Sequence, residues 1–208
     1  PEIAEEKNKL LRATAPRDLE ETVTGQYEGY LEDEGVPEDS VTETYVATHL
    51  HVNTPRWYGV PFYLSAGKAL DTQKTELIIR FKELPYSLFP GVVGNCLRIR
   101  VQPNEAIEMM VNNKVPGMTL ESSTVRLNML YNEQFDAELP EAYERLLLDV
   151  LRGDRSLFIQ KQELAAAWNV VTPLLERIEE ERIHPKIYRY GSSGPGFPGL
   201  QEGNHCGD

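Results

Sequence analysis

Lys74–Lys82 reads KTELIIRFK and Leu97–Gln102 reads LRIRVQ. In the first stretch Thr75, Leu77, Ile79 and Phe81 alternate with Lys74, Glu76, Ile78, Arg80 and Lys82. In the second, Leu97, Ile99 and Val101 alternate with Arg98, Arg100 and Gln102. Successive side chains of a strand point to opposite faces, so a period of two predicts strands of an antiparallel sheet with one apolar and one polar face.

The same period extends outward. From Val41, residues Val46, Leu50 and Val52 fall on one face and Tyr45, His49 and His51 on the other. Ala106–Val111 and Val125–Tyr131 read as further strands, separated by the turn-like Asn112–Gly117. Towards both ends the period becomes helical. Glu2–Ala13 carries Glu early and Lys/Arg late, as the helix dipole prefers. After Leu139, Pro140 suits a first helical turn, Tyr143, Leu146, Leu147 and Val150 form a stripe, and Gly153 suits a C-terminal cap. Lys161–Glu181 predicts another helix with Leu164, Ala167, Trp168 and Val171 on one face, kinked or restarted at Pro173. Thr24–Asp39 is rich in acids, Gly and Pro and reads as an exposed connection.

Strands grouped centrally between helices predict an α+β fold: a large, open, mainly antiparallel sheet with flanking helices at both ends of the chain. This order is not the strand–helix alternation of a doubly wound nucleotide domain. The expected division is a domain over 1–195 followed by a flexible Gly/Pro-rich tail over 196–208.

The 208 residues hold 33 acidic against 21 basic side chains, a formal charge of −12. That field repels nucleic acid and anionic lipid, so neither is expected as a partner, and a phosphate ligand would need a local cationic pocket. No apolar run approaches the roughly 18–20 residues of a membrane span. Cys96 lies in an apolar strand pattern and Cys206 in a Gly-rich terminus, which predicts a buried structural thiol at Cys96 rather than a disulfide.

His49 and His51 project to one strand face, but no third ligand accompanies them and no metal site is expected. No Gly-rich phosphate loop follows a strand and opens a helix. One cation draws attention: Pro61–Leu70 (PFYLSAGKAL) runs apolar into a Gly-Lys turn, which would set Lys68 at the end of a buried strand.

Arg56–Leu70 (RWYGVPFYLSAGKAL) resembles the signature of the glucose-6-phosphate dehydrogenase family. Gly25-Gln26-Tyr27, Ile99–Ala106 (IRVQPNEA), Pro116-Gly117, Ala142–Leu146 (AYERL), Thr172–Leu175 (TPLL) and Tyr190-Gly191-Ser192 resemble family segments in the same order. The resemblance covers about Ile3 to Pro195. It implies the β+α domain of a two-domain enzyme that oxidises glucose 6-phosphate to 6-phosphogluconolactone with NADP, and a homo-oligomer, dimer or tetramer, joined through the sheet. The family's cofactor domain and histidine base belong upstream of this segment. The chain by itself is therefore expected to be non-catalytic, either one half of such an enzyme or a stand-alone dimerising or regulatory partner. The compartment implied is cytoplasmic or plastid.

Carried over position by position, Lys68 matches the substrate-binding lysine and Gln102 a glutamine that contacts the sugar phosphate. Gln73 stands where some members have a substrate-contacting arginine. A second, non-catalytic NADP site of some eukaryotic members retains Lys74 and Arg100, whereas Ser65, Ile78 and Ser193 replace expected arginines, so this site is expected to be weak or empty.

Overall fold

The alternating stretches do form strands, and in the computed structural model they build two sheets. The structure describes residues 2–16, 18–83, 85–86, 88–89, 92, 94–134, 142–155 and 158–201. In chain order the elements are α1 (Glu2–Arg12), β1 (Thr14–Pro16), β2 (Thr22–Tyr27), β3 (Tyr45–Val52), β4 (Phe62–Gly67), β5 (Thr75–Arg80), β6 (Cys96–Gln102), β7 (Ala106–Lys114), β8 (Ser122–Leu130), α2 (Tyr131–Gln134), α3 (Ala142–Arg152), α4 (Lys161–Glu180), β9 (Lys186–Tyr188) and α5 (Pro198–Gln201). The α+β class and the mainly antiparallel pairing agree with the expectation; the one parallel pair of named strands among the described residues is β2 with β9. The chain divides into one unit of Pro1–Thr72 with Leu146–Leu200 and a second built on Gln73–Arg145.

In the first unit β3 is the central strand. β1 and β2 pair along one of its edges and β4 along the other. Tyr45 and Ala47, on one face of β3, are buried with Tyr188 and Phe197, and Val23, Tyr27, Leu70 and Leu200 pack around them. Each such large apolar side chain contributes about 1.5–3 kcal/mol by leaving water. Phe197 thus joins the core two residues beyond Pro195.

Helix α4 packs against α1 and β1, and Lys7 Nζ meets Glu163 Oε1 at 3.2 Å. Its buried residues are Ala166, Val170 and Leu174. Of the stripe read from sequence, Leu164, Trp168 and Val171 are exposed, with Trp168 at 56 %, and Ala167 is half-buried. Pro173 sits inside the helix without ending it.

Other expectations need correction. Thr24–Tyr27 is not loop but strand, and Thr24 and Gln26 are buried. Gln26 is tolerated there because its amide donates to the carbonyls of Ser40 and Thr42, both at 3.0 Å. Strand β4 is largely exposed, not buried. Cys96 is buried but is no free thiol, being disulfide-bonded. Pro140 lies outside the described residues.

The second unit carries a four-stranded antiparallel sheet in the order β5-β6-β7-β8. Its register builds two apolar rows on one face, Leu77–Ile99–Ile107–Met129 and Ile79–Leu97–Met109–Leu127. The other face holds the rows Ile78–Arg98–Glu108–Asn128 and Arg80–Cys96–Met110–Arg126. Unusually, Leu77 and Leu127 on the apolar face are more than half exposed, whereas Glu108, Cys96 and Met110 on the mixed face are buried. No described helix is long and apolar enough to cross a membrane.

Candidate functional site

The Gly-Lys turn follows the last residue pair of the β3–β4 ladder, Tyr45 opposite Gly67. A Cβ on Gly67 would come within 2.7 Å of Tyr45 Cδ2, so the ring dictates glycine here for lack of space. Lys68 N–H donates to Thr44 O at 2.8 Å and Lys68 O accepts from the Tyr188 hydroxyl at 2.7 Å. Ala69 then adopts φ 50°, and its carbonyl accepts from Gly191 N at 2.8 Å, while Asp71 N donates to Ser192 O at 2.9 Å. The backbone is therefore fixed by Thr44 at the Lys68 amide and by Tyr188–Ser192 from the Lys68 carbonyl onward, and the lysine is exposed. Among the described residues no carboxylate forms an ion pair with it.

The phenol of Tyr45 beneath this turn is held above its ordinary value of 10, by burial first and by neighbouring Tyr188 second. Tyr27, which also packs against Tyr188, is pushed up to about 12, chiefly by its hydrogen bond to Asp33.

Gln73, Lys74, Arg100 and Gln102 belong to the second unit. A bulge between Thr75 and Glu76 sets Thr75 opposite Gln102, and the Gln102 amide donates to Thr75 Oγ1 at 3.1 Å. Gln73 is exposed, two residues before Thr75. Lys74 Nζ pairs with Glu76 Oε1 at 2.7 Å. Arg100 Nη2 donates to Glu108 Oε2 at 3.4 Å. The structure thus brings Gln102, Lys74 and Arg100 to one end of β5 and β6, and Lys68 belongs to the other unit.

Sequence reading missed the carboxylate at the centre of this charge cluster. Glu108 lies opposite Arg98 across the β6–β7 pair, with Arg98 Nη1 at 3.8 Å and Arg126 Nη1 at 3.9 Å from its carboxylate. Glu76 Oε2 reaches Arg98 Nε at 4.0 Å. The alternation placed Arg98 and Arg100 on one face, but only the register of β6, β7 and β8 reveals what faces them.

His49 is held by contacts to its neighbours. Its Nδ1 lies 2.6 Å from Glu21 Oε2 and its ring stands 4.9 Å from that of Tyr63. Among the described residues no group of three potential ligands gathers. A cavity of about 610 Å³ lined by Val41, Leu175, Ile178 and His184, and another of about 350 Å³ lined by Phe81, Phe89, Asn95 and Lys114, are formed without the residues singled out from sequence.

The family model "Glucose-6-phosphate dehydrogenase, C-terminal domain" matches residues 1–197. The chain belongs to this family. It is 44 % identical to the chloroplastic glucose-6-phosphate 1-dehydrogenase of Nicotiana tabacum, over 93 % of this chain and 36 % of that protein. It is 46 % identical to the glucose-6-phosphate 1-dehydrogenase of Dictyostelium discoideum, over 93 % of this chain and 41 % of the relative.

A solved structure described as glucose-6-phosphate dehydrogenase in complex with its substrate glucose-6-phosphate superposes with a TM-score of 0.85 at 40 % identity, covering 95 % of this chain and 43 % of that one. The glucose-6-phosphate 1-dehydrogenase of Mycobacterium avium follows with a TM-score of 0.78 at 32 % identity, covering 93 % and 41 %. The chain spans 36 to 43 % of the length of these relatives.

Proposed function

We propose that this chain supplies the sugar-phosphate-binding and subunit-pairing part of a dehydrogenase that oxidises glucose 6-phosphate with NADP, in the cytoplasm or a plastid. Hydride transfer and proton abstraction belong, in this reading, to the remaining length that the relatives possess. In this reading Lys68 neutralises the phosphate. The observation that carries the reading is Lys68 itself: an exposed ammonium on a turn tied down by Tyr188, Gly191 and Ser192, with no carboxylate competing for it among the described residues. A structural relative whose description includes bound glucose-6-phosphate supports the choice of ligand.

The test is Lys68→Gln in the full-length dehydrogenase. A hydrogen bond to a charged group is worth about 1.5–3 kcal/mol, so the KM for glucose 6-phosphate should rise about tenfold to a hundredfold. The thermal midpoint should not move, because the side chain is exposed. An unchanged KM would remove Lys68 from the site.

A further inference from the structure

In some eukaryotic members of the resembled family the positions of Lys74 and Arg100 serve a second, non-catalytic NADP, whose phosphates require cations that are available to them. The residues of this chain do not fit that use. Lys74 is paired with Glu76 at 2.7 Å, and Arg100 donates to Glu108 at 3.4 Å. Glu108 is 7 % exposed at its side chain and has the guanidinium groups of Arg98, Arg100 and Arg126 all within 3.9 Å. Ile78, on the same face as Arg98, packs on Cys96 and Met110 instead of offering a donor.

We propose that Glu108 is the resident counter-anion of this sheet face, doing with its own carboxylate what a bound phosphate would do, so that the face takes no second dinucleotide. A carboxylate so deeply buried is tolerable only when cations surround it. Conversely, three guanidiniums converging from β6 and β8 need an anion between them. Glu108 meets both requirements from within the chain. A phosphate approaching Arg100 would have to compete for its guanidinium with a carboxylate already in place, like charge against like. Lys74 and Arg126, whose side chains are 48 % and 45 % exposed, are each already paired with a carboxylate, Lys74 with Glu76 and Arg126 with Glu108. This inference goes beyond the dehydrogenase reading and does not rest on it.

The experiment compares the intact wild-type protein with Glu108→Gln, using inorganic pyrophosphate as the probe at constant ionic strength and NADP for stoichiometry. Wild type should bind no more than one equivalent of NADP per subunit, and its thermal midpoint should respond to pyrophosphate no more than to an equal ionic strength of chloride. Glu108→Gln should melt lower and regain at least about 3 °C with millimolar pyrophosphate. Two equivalents of NADP on wild type would overturn the proposal, as would a folded Glu108→Gln protein indifferent to pyrophosphate. If Glu108→Gln folds only when pyrophosphate is present, the proposal stands. If it fails to fold under either condition, the wild-type stoichiometry decides, one or fewer supporting and two refuting. Absence of glucose 6-phosphate oxidation by the intact wild-type protein, with one equivalent of NADP or fewer bound, would count against the dehydrogenase reading alone.

Discussion

Tyr45 presses its ring edge against the backbone of Gly67, so closely that a methyl group on that residue would stand 2.7 Å from Cδ2 of the ring. Because Leu70 crowds the same point from 3.2 Å, the ring cannot withdraw without disturbing the core it shares with Tyr188. Gly67→Ala should therefore destabilise the protein by about 1–3 kcal/mol, the usual cost of overpacking. It should also displace the lysine that follows, raising the KM for glucose 6-phosphate in the full-length enzyme more than kcat falls. Thermal melts and steady-state kinetics on one preparation check both effects. An unperturbed midpoint would show that the turn yields easily and is not the rigid mount for Lys68 described above.

Alkaline pH should loosen the same core. Burial keeps Tyr45 protonated to a higher pH in the folded chain than in the unfolded one. The folded state therefore binds the proton more tightly. Its contribution is complete below about pH 10, the unfolded value, and is lost as pH rises through the raised folded value. Tyr45→Phe should flatten stability against pH above that point and leave neutral-pH behaviour nearly unchanged. A companion check is spectroscopic: Tyr27 should ionise near 12, and Asp33→Asn should bring it back towards the ordinary phenol value.

The strands β5 and β6 were legible because their period of two is uninterrupted and each places charges on one side only. β2 was not, since Gly25, Gln26 and the acids that follow carry the chemistry of a turn. Gly25 is required by the closeness of Pro195 and Tyr188, 2.7 and 3.0 Å from where its Cβ would be, a contact far away in sequence. β9 is three residues long and is recruited by pairing with β2 rather than by its own pattern. The Gly67-Lys68 turn could be found from a local motif. Glu108 could not, because its meaning lies in the register of three strands, and no local spacing encodes that.

Helix α4 shows the limit of periodicity, and a pair of substitutions exposes it. Leu164, Trp168, Val171 and Leu175 recur at helical spacing just as Ala166, Val170 and Leu174 do. Burial selects the second set, with Leu174 at 7 % beside Pro16 and Leu19. Leu174→Ala should cost about 2–4 kcal/mol through the lost transfer energy and the cavity left behind. Trp168→Ala, despite removing a larger side chain, should stay within about 0.5 kcal/mol. Chemical denaturation with matched m-values distinguishes the two, and a reversal of the order would mean that the outer stripe is covered in solution.

The outer face of the four-stranded sheet carries the last prediction. Leu77, Val101 and Leu127 are each more than half exposed, at 53 %, 53 % and 55 %, on a face whose two central rows hold no charged residue. A continuous apolar surface of this kind is rarely left to water, and a self-complementary partner about a two-fold axis is the simplest cover. The double substitution Leu77→Lys with Leu127→Lys puts a cation on each edge strand of that face and, in a symmetric pair, brings like charges together or buries them unpaired. If subunits pair through this face as proposed, sedimentation velocity should then show a smaller species for the double variant than for wild type while the far-ultraviolet circular dichroism is unchanged, because both side chains point away from the buried face of their own sheet. An oligomer that survives both lysines would exclude this face as the place where subunits meet.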